Sequence, residues 1–202
     1  MIDFIHHLDE SITLFINEFH SGISDAVMQM FSDRWAWVPF YIFVAYMLFR
    51  RLGWKKAIIV IISAALTVTA CDQISGIIKN SIDRLRPCYD QGMLSQGLHI
   101  LERRGGHFGF FSSHAANAFG FAICTVIGFR NDREHTYNAY RTWVIVWAAM
   151  ISLSRVFVGK HYFGDILVGA VLGALIGYCI GAIARYVIRR YVDKTLATKV
   201  QA

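Results

Sequence analysis

From Ile166 to Ala184 the chain carries no charged residue, and within that run glycine recurs at 169, 173, 177 and 181. A charge-free stretch of this length is close to the roughly 20 apolar residues that carry a helix across a bilayer. Small residues at four-residue spacing give such a helix a smooth ridge for close packing against a neighbour. Only 17% of the 202 residues are charged and 55% are hydrophobic, against about 25% charged in an ordinary soluble domain. The mean hydropathy is +0.43. Together these features predict an all-α integral membrane bundle in a single domain over residues 1–202.

Five apolar runs carry the bundle, at about Trp35–Phe49, Ala57–Ile78, Phe111–Phe129, Trp143–Leu153 and Tyr162–Ala184. Residues 3–31 mix Phe4, Ile5, Leu8, Ile12, Phe15, Ile16 and Phe19 with Asp9, Glu10, Asn17, Glu18 and His20. That pattern predicts an amphipathic helix in the interface within an N-terminal segment 1–33. A sixth span there is the alternative, which gives five or six in all. The start, "MIDFIHHLDE", lacks a cationic head and a small-residue cleavage site, so the segment is expected to be retained.

The basic residues orient the bundle. Arg50, Arg51, Lys55 and Lys56 follow the first run, and Arg130, Arg133 and Arg141 follow the third. Arg185, Arg189, Arg190, Lys194 and Lys199 fill the tail 185–202. All fall on one side, which the positive-inside rule makes cytoplasmic. The net charge of +6 therefore speaks for a membrane rather than for nucleic acid. Cys71, Cys124 and Cys179 lie in apolar runs and Cys88 in a polar loop, so no disulfide framework is expected. The tryptophans near run ends read as interfacial anchors, and His6, His7 and His99 as structural.

The opposite, outer side holds Arg34, Lys79, Arg84, Arg86, Arg103, Arg104, Arg155 and Lys160 against the charge rule. Three stretches there stand out: "KNSIDRLRP" from Lys79 to Pro87, "FSSH" from Phe111 to His114, and "SRVFVGKHYFGD" from Ser154 to Asp165. A compact bundle brings them to one surface. Lys79, Arg86 and Arg155 supply charge and forked donors suited to phosphate oxygens. Ser112 and Ser113 open a helix, where free N–H groups favour an anion. His161 and Asp165, four apart at a helix start, share a face. Asp165 accepts from one ring nitrogen and leaves the other for attack or proton transfer, while His114 serves as acid for the leaving oxygen. This is a phosphoryl-transfer layout with no obvious metal.

The stretches resemble the K-x6-R-P, P-S-G-H and S-R-x5-H-x3-D signatures of the type 2 phosphatidic acid phosphatase family, a group of membrane lipid phosphatases with soluble haloperoxidase relatives. The resemblance spans residues 79–165. Its first and third signatures match at every fixed position, and the middle one departs at Phe111 and Ser113, where the pattern has Pro and Gly. The resemblance implies that His161 is the nucleophile of a phosphohistidine intermediate and that Asp165 orients it. It implies that His114 protonates the leaving group, that Lys79, Arg86, Arg155 and Ser112 hold the phosphoryl oxygens, and that no metal or other cofactor takes part. Asp72, an acid inside a span, and His107, just ahead of the third run, are candidates for supporting the site. Arg34, Arg103, Arg104 and Lys160 read as headgroup contacts or solvated charges, with contact to an anionic substrate as the alternative, and Arg84 as either that or a site residue.

The expected function is hydrolysis of a lipid phosphate or diphosphate at the periplasmic face of a bacterial inner membrane. Undecaprenyl diphosphate is the first expectation. Lipid A, at its 1 or 4′ phosphate, is the alternative, followed by phosphatidylglycerol phosphate or phosphatidic acid. A non-catalytic lipid-phosphate binder or a small transporter is the reading from a different class. The oligomeric state is not encoded in any motif.

Overall fold

The computed structural model describes residues 2–193, so Lys194 and Lys199 of the basic tail lie outside the described residues. Eight α-helices follow one another: α1 Ile2–Glu18, α2 Gly22–Ser32, α3 Val38–Leu52, α4 Trp54–Ile82, α5 Gln91–Ser95, α6 Ser113–Phe129, α7 Asn138–Phe157 and α8 Phe163–Val187. Short 3-10 turns at Arg34–Trp37 and Pro87–Tyr89 join them, and a π-helical turn, Ile188–Asp193, extends α8. Among the described residues the pairing of extended backbone is limited to one antiparallel bridge, Leu85 with Phe108.

Local chemistry sets the boundaries. Gly53, at φ 74°, breaks the chain between α3 and α4, a conformation that glycine adopts without a Cβ penalty. Asp83, at φ 53°, closes α4. Ser112 caps α6 by accepting from the Ala115 N–H at 3.4 Å, so this helix starts two residues later than the apolar run does. The N-terminal segment is two helices rather than one, because Ser21 caps a new start at α2.

α6 is the axis of the bundle, with α4, α7 and α8 packed around it. Ala115, Ala116, Ala118, Gly120, Ala122 and Cys124 are all buried on it, and small side chains of this kind let three neighbours approach one helix. The glycine ridge of α8 makes the tightest of these contacts. A Cβ on Gly173 would overlap the Ala116 carbonyl, and one on Gly169 would sit at 2.5 Å from the Ser112 oxygen. α4 presents Ser63, Thr67, Cys71 and Ser75 inward at four-residue spacing, all buried.

The outward faces are apolar. Ile62, Leu66 and Ile77 on α4 and Val171, Leu175 and Ile183 on α8 are exposed. Both helices, α8 counted with its extension to Asp193, are long and apolar enough to cross a membrane; α6 is apolar but shorter. α1 buries a mixed face. Thr13 and Asn17 are buried against the protein with Leu14 and Ile16 partly buried beside them, while Phe4, Ile5 and Phe15 face out.

Gly173→Ala is expected to lower the melting temperature in detergent, by the roughly 1–3 kcal/mol typical of overpacking. Gly76→Ala in α4, where an added Cβ meets nothing within 4 Å, should be neutral or stabilising, since alanine is the better helix former by about 1 kcal/mol. Equal effects of the two substitutions would contradict the close α6–α8 contact.

Candidate active site

The N-terminal ends of α6 and α8, the C-terminal ends of α4 and α7 and the loop 83–112 meet at one end of the bundle. His161 lies just before α8 and is 1% exposed. Its Nδ1 is 3.3 Å from Asp165 Oδ2, so the tautomer with hydrogen on Nδ1 donates to the carboxylate and leaves Nε2 with a free lone pair. Asp165, fully buried, also accepts from the Tyr162 N–H at 3.1 Å and from Arg84 Nη1 at 2.8 Å. Its own carbonyl accepts from the Ser112 N–H at 3.1 Å, which fixes α6 against α8 at the site.

The cations converge as the spacing predicts. Arg155, Arg86, Lys79 and Lys160 all act electrostatically on His161. Burial first, and then these charges, push its pKa well below the ordinary imidazole value of 6.5, so the ring is neutral at pH 7. Lys79 Nζ lies 3.4 Å from Ser113 Oγ. Arg86 is held by the loop: its N–H donates to the His107 carbonyl at 2.9 Å and its Nε to the Phe108 carbonyl at 3.1 Å. Gly109 packs tightly here: a Cβ would come within 3.1 Å of Arg86 Cγ and 3.2 Å of Asp165 Oδ2, so a side chain would press on both. Arg155 is buried, and its Nε has no hydrogen-bond partner among the described residues, a donor free for an anion. His114, at the start of α6, lies within the field of Arg155, His161 and Lys79.

Two expected supports take another form. The His107 ring stacks on Tyr89 at 4.4 Å between centroids, so this residue serves the site through its carbonyl. Asp72 accepts from Asn117 Nδ2 at 3.0 Å on the wall of a cavity discussed below. Ser112 is fully buried, and its hydroxyl acts as the helix cap. The four cysteines are free, and among the described residues no group of three His, Cys, Asp or Glu could hold a metal ion.

Arg84, which the sequence left between a headgroup contact and a site residue, shapes the site together with several residues that the sequence did not single out. Arg84 bridges Asp165 and Asp9, at 2.8 and 2.7 Å, and lies over the Tyr162 ring. Asp9 Oδ1 accepts from the Gly164 N–H at 2.7 Å, Thr13 Oγ1 from the Phe163 N–H at 3.0 Å. Asn17 Nδ2 donates to the Phe157 carbonyl at 2.7 Å. The polar stripe of α1 thus clamps both ends of the segment that carries His161. The four-residue spacing of Asp9, Thr13 and Asn17 was the available signal. Glu102 joins Lys160 and Arg155, at 3.6 and 3.5 Å, and also bonds Ser32. Lys160, read from sequence as a headgroup contact, is buried and donates to the Arg103 carbonyl.

A cavity of about 770 Å³ opens beside this cluster. Ser113, His114, Arg34 and Asp72 line one part of it, and Val68, Phe121 and Leu48 another.

An all-helical bundle with a buried His–Asp pair facing arginine and lysine, and an apolar cavity alongside, has the parts of a membrane enzyme that acts on phosphorylated lipids. The model of the PAP2 superfamily matches residues 55–189. The chain belongs to that superfamily and is a membrane lipid phosphatase. It is 34% identical over 197 residues to the lipid A 4′-phosphatase of Bacteroides thetaiotaomicron, covering 96% of this chain and 85% of the relative. It is 27% identical over 192 residues to the lipid A 4′-phosphatase of Porphyromonas gingivalis, covering 95% and 79%. The fold superposes on a transmembrane PAP2 type phosphatidylglycerolphosphate phosphatase from Bacillus subtilis with a TM-score of 0.70, at 18% identity over 93% of this chain and 89% of the other. It superposes on Aquifex aeolicus LpxE with a TM-score of 0.58, at 20% identity over 87% and 93%.

The depressed His161 pKa carries a sign. The ring stays neutral as pH falls through 6.5 and becomes protonated only below that, at its own lower pKa. Lys160→Met removes one of the repelling charges, so the acid limb of kcat/KM should move upward toward 6.5. The substrate's own titration is common to both proteins, so the shift between them reports the enzyme. No shift, or a downward one, would contradict the geometry.

Proposed function

We propose that the enzyme removes the 4′-phosphate of lipid A at the outer face of a bacterial inner membrane. The observation that carries this reading is the 34% identity to a lipid A 4′-phosphatase over 96% of the chain, which includes α1 to α3 ahead of the family match at 55–189. Neither curated relative speaks for undecaprenyl diphosphate, which becomes the second reading. The solved structures share the fold at too low an identity to argue for phosphatidylglycerol phosphate or any other substrate.

In this reading α3, α4, α6, α7 and α8 are five spans, and the basic loops face the cytoplasm. Arg155, Arg86 and Lys79 take the phosphoryl oxygens together with the N–H groups at the start of α6. His161 Nε2 attacks phosphorus in line while Asp165 stabilises the imidazolium that forms. The P–O bond to the sugar breaks, and His114 delivers a proton to the leaving oxygen. Water, deprotonated by His114, then hydrolyses the phosphohistidine to release phosphate. The first methylenes of the lipid chains lie in the 770 Å³ cavity and the rest in the bilayer.

The test is to incubate purified enzyme with lipid A carrying both 1- and 4′-phosphates and to locate the lost phosphate by mass spectrometry. Loss from the 4′ position is expected, and His161→Ala should reduce it by at least about a thousandfold. Loss confined to the 1 position, or faster hydrolysis of undecaprenyl diphosphate, would overturn the proposal.

A further inference from the structure

Asp72 is the one acid in α4, ten residues from the outer end of that helix and therefore about 15 Å in from it at 1.5 Å per residue. A carboxylate at that depth is costly unless it is paired or serves a ligand. Its pairing is incomplete. Oδ1 accepts from Asn117 Nδ2 at 3.0 Å, and Oδ2 has no hydrogen-bond or ion-pair partner among the described residues. Both residues line the cavity beside the phosphoryl site. Asn117 lies one turn along α6 from Ser113 and His114, and the wall continues along α4 through Thr69, Val68 and Ala65. Away from the outer end, the cavity therefore runs from catalytic histidine to a carboxylate to an apolar floor.

We infer that Asp72, held by Asn117, is a subsite for a hydrogen-bond donor at the root of the substrate's chains, an amide N–H or a hydroxyl. The inference rests on the proposal that the phosphate sits at His161 with the chains in this cavity. A lipid so placed puts the atoms between phosphate and methylene chain against Asp72. An N-acylated or hydroxyacylated lipid presents donors there and satisfies Oδ2. An ester-linked glycerolipid presents only acceptor oxygens, and a polyprenyl chain presents carbon. Either covers the otherwise exposed carboxylate and leaves Oδ2 without a donor. Sites built to bond a substrate N–H or O–H reject analogues that lack it far more strongly than apolar pockets reject a missing methylene. Asp72 is thus a specificity-determining residue that selects the linkage chemistry of the lipid, separate from the cations that hold the phosphate.

Four lipid phosphates test this in detergent micelles of the full-length enzyme: ceramide 1-phosphate, its N-methyl analogue, dioleoyl phosphatidic acid and lipid A. The wild type should favour ceramide 1-phosphate over phosphatidic acid by at least about tenfold in kcat/KM. Asp72→Leu should bring that ratio close to one. Asp72→Asn, which offers a donor as well as an acceptor, should raise turnover of phosphatidic acid and guards against a folding defect in the leucine variant. The N-methyl analogue assigns the donor: a retained preference marks the hydroxyl, a lost one the amide. A wild type that treats ceramide 1-phosphate and phosphatidic acid alike, or refuses both, overturns the assignment, as does a ratio that Asp72→Leu leaves unchanged. Lipid A separates this from the parent reading. An Asp72-dependent preference without lipid A turnover removes only the lipid A proposal, and lipid A turnover with an Asp72-independent ratio removes only the subsite.

Discussion

Asp165 is a carboxylate with no exposure to solvent, and the architecture around the site can be understood as the set of donors that such a group demands. Burying an uncompensated charge costs several kcal/mol even after relaxation. Asp165 receives Arg84, the Tyr162 N–H and the His161 ring, and its carbonyl takes the Ser112 N–H. These donors come from three parts of the chain: the outer loop, the turn before α8, which supplies two, and the start of α6. Satisfying this one residue, side chain and main-chain carbonyl together, thus assembles the elements that also place Arg86, Ser113 and His114.

This arrangement needs a rigid frame, and the α6–α8 contact provides it. The glycines of α8 bring its backbone against the carbonyls of Ser112, Ala116 and Gly120, so the two helix starts are fixed relative to each other. The clustered cations repel one another, and Glu102 with its links to Arg155 and Lys160 offsets part of that repulsion. The remainder is a field aimed at His161 that disfavours its protonated form and favours a phosphate dianion. The charges that, after burial, keep the histidine neutral therefore also attract a phosphate, which is what the proposed nucleophilic role requires. Asp9, Thr13 and Asn17 add a clamp from outside the family's matched region, which ties the N-terminal helix to the position of the reactive ring.

The sequence was most readable where one residue type at one spacing has one physical use. The glycine ridge from Gly169 to Gly181, the His161–Asp165 pair and the convergence of Lys79, Arg86 and Arg155 all follow from helical periodicity and charge. The long-range polar contacts did not. Arg84 joins Asp9 and Asp165 across about 80 positions of sequence on either side, and its place inside the Lys79–Pro87 stretch left a site role open without naming either partner. The residues 3–31 read as one interfacial helix because apolar and polar positions alternate with helical period. Periodicity does not say which residues turn inward, and here Thr13 and Asn17 do, beside Leu14 and Ile16. Relatives, in turn, shifted the proposed substrate from undecaprenyl diphosphate to lipid A, because phosphate-binding residues carry little information about what the phosphate is attached to.

The central claim is that His161 carries the phosphoryl group covalently. Rapid quenching of the wild-type enzyme during turnover of ³²P-labelled lipid phosphate, into alkali where phosphohistidine survives, followed by peptide mapping, tests this directly. The account predicts an acid-labile, alkali-stable label on the peptide that contains His161, and none in His161→Ala. Label on another residue, or full turnover with no labelled protein at any time after mixing, would contradict it.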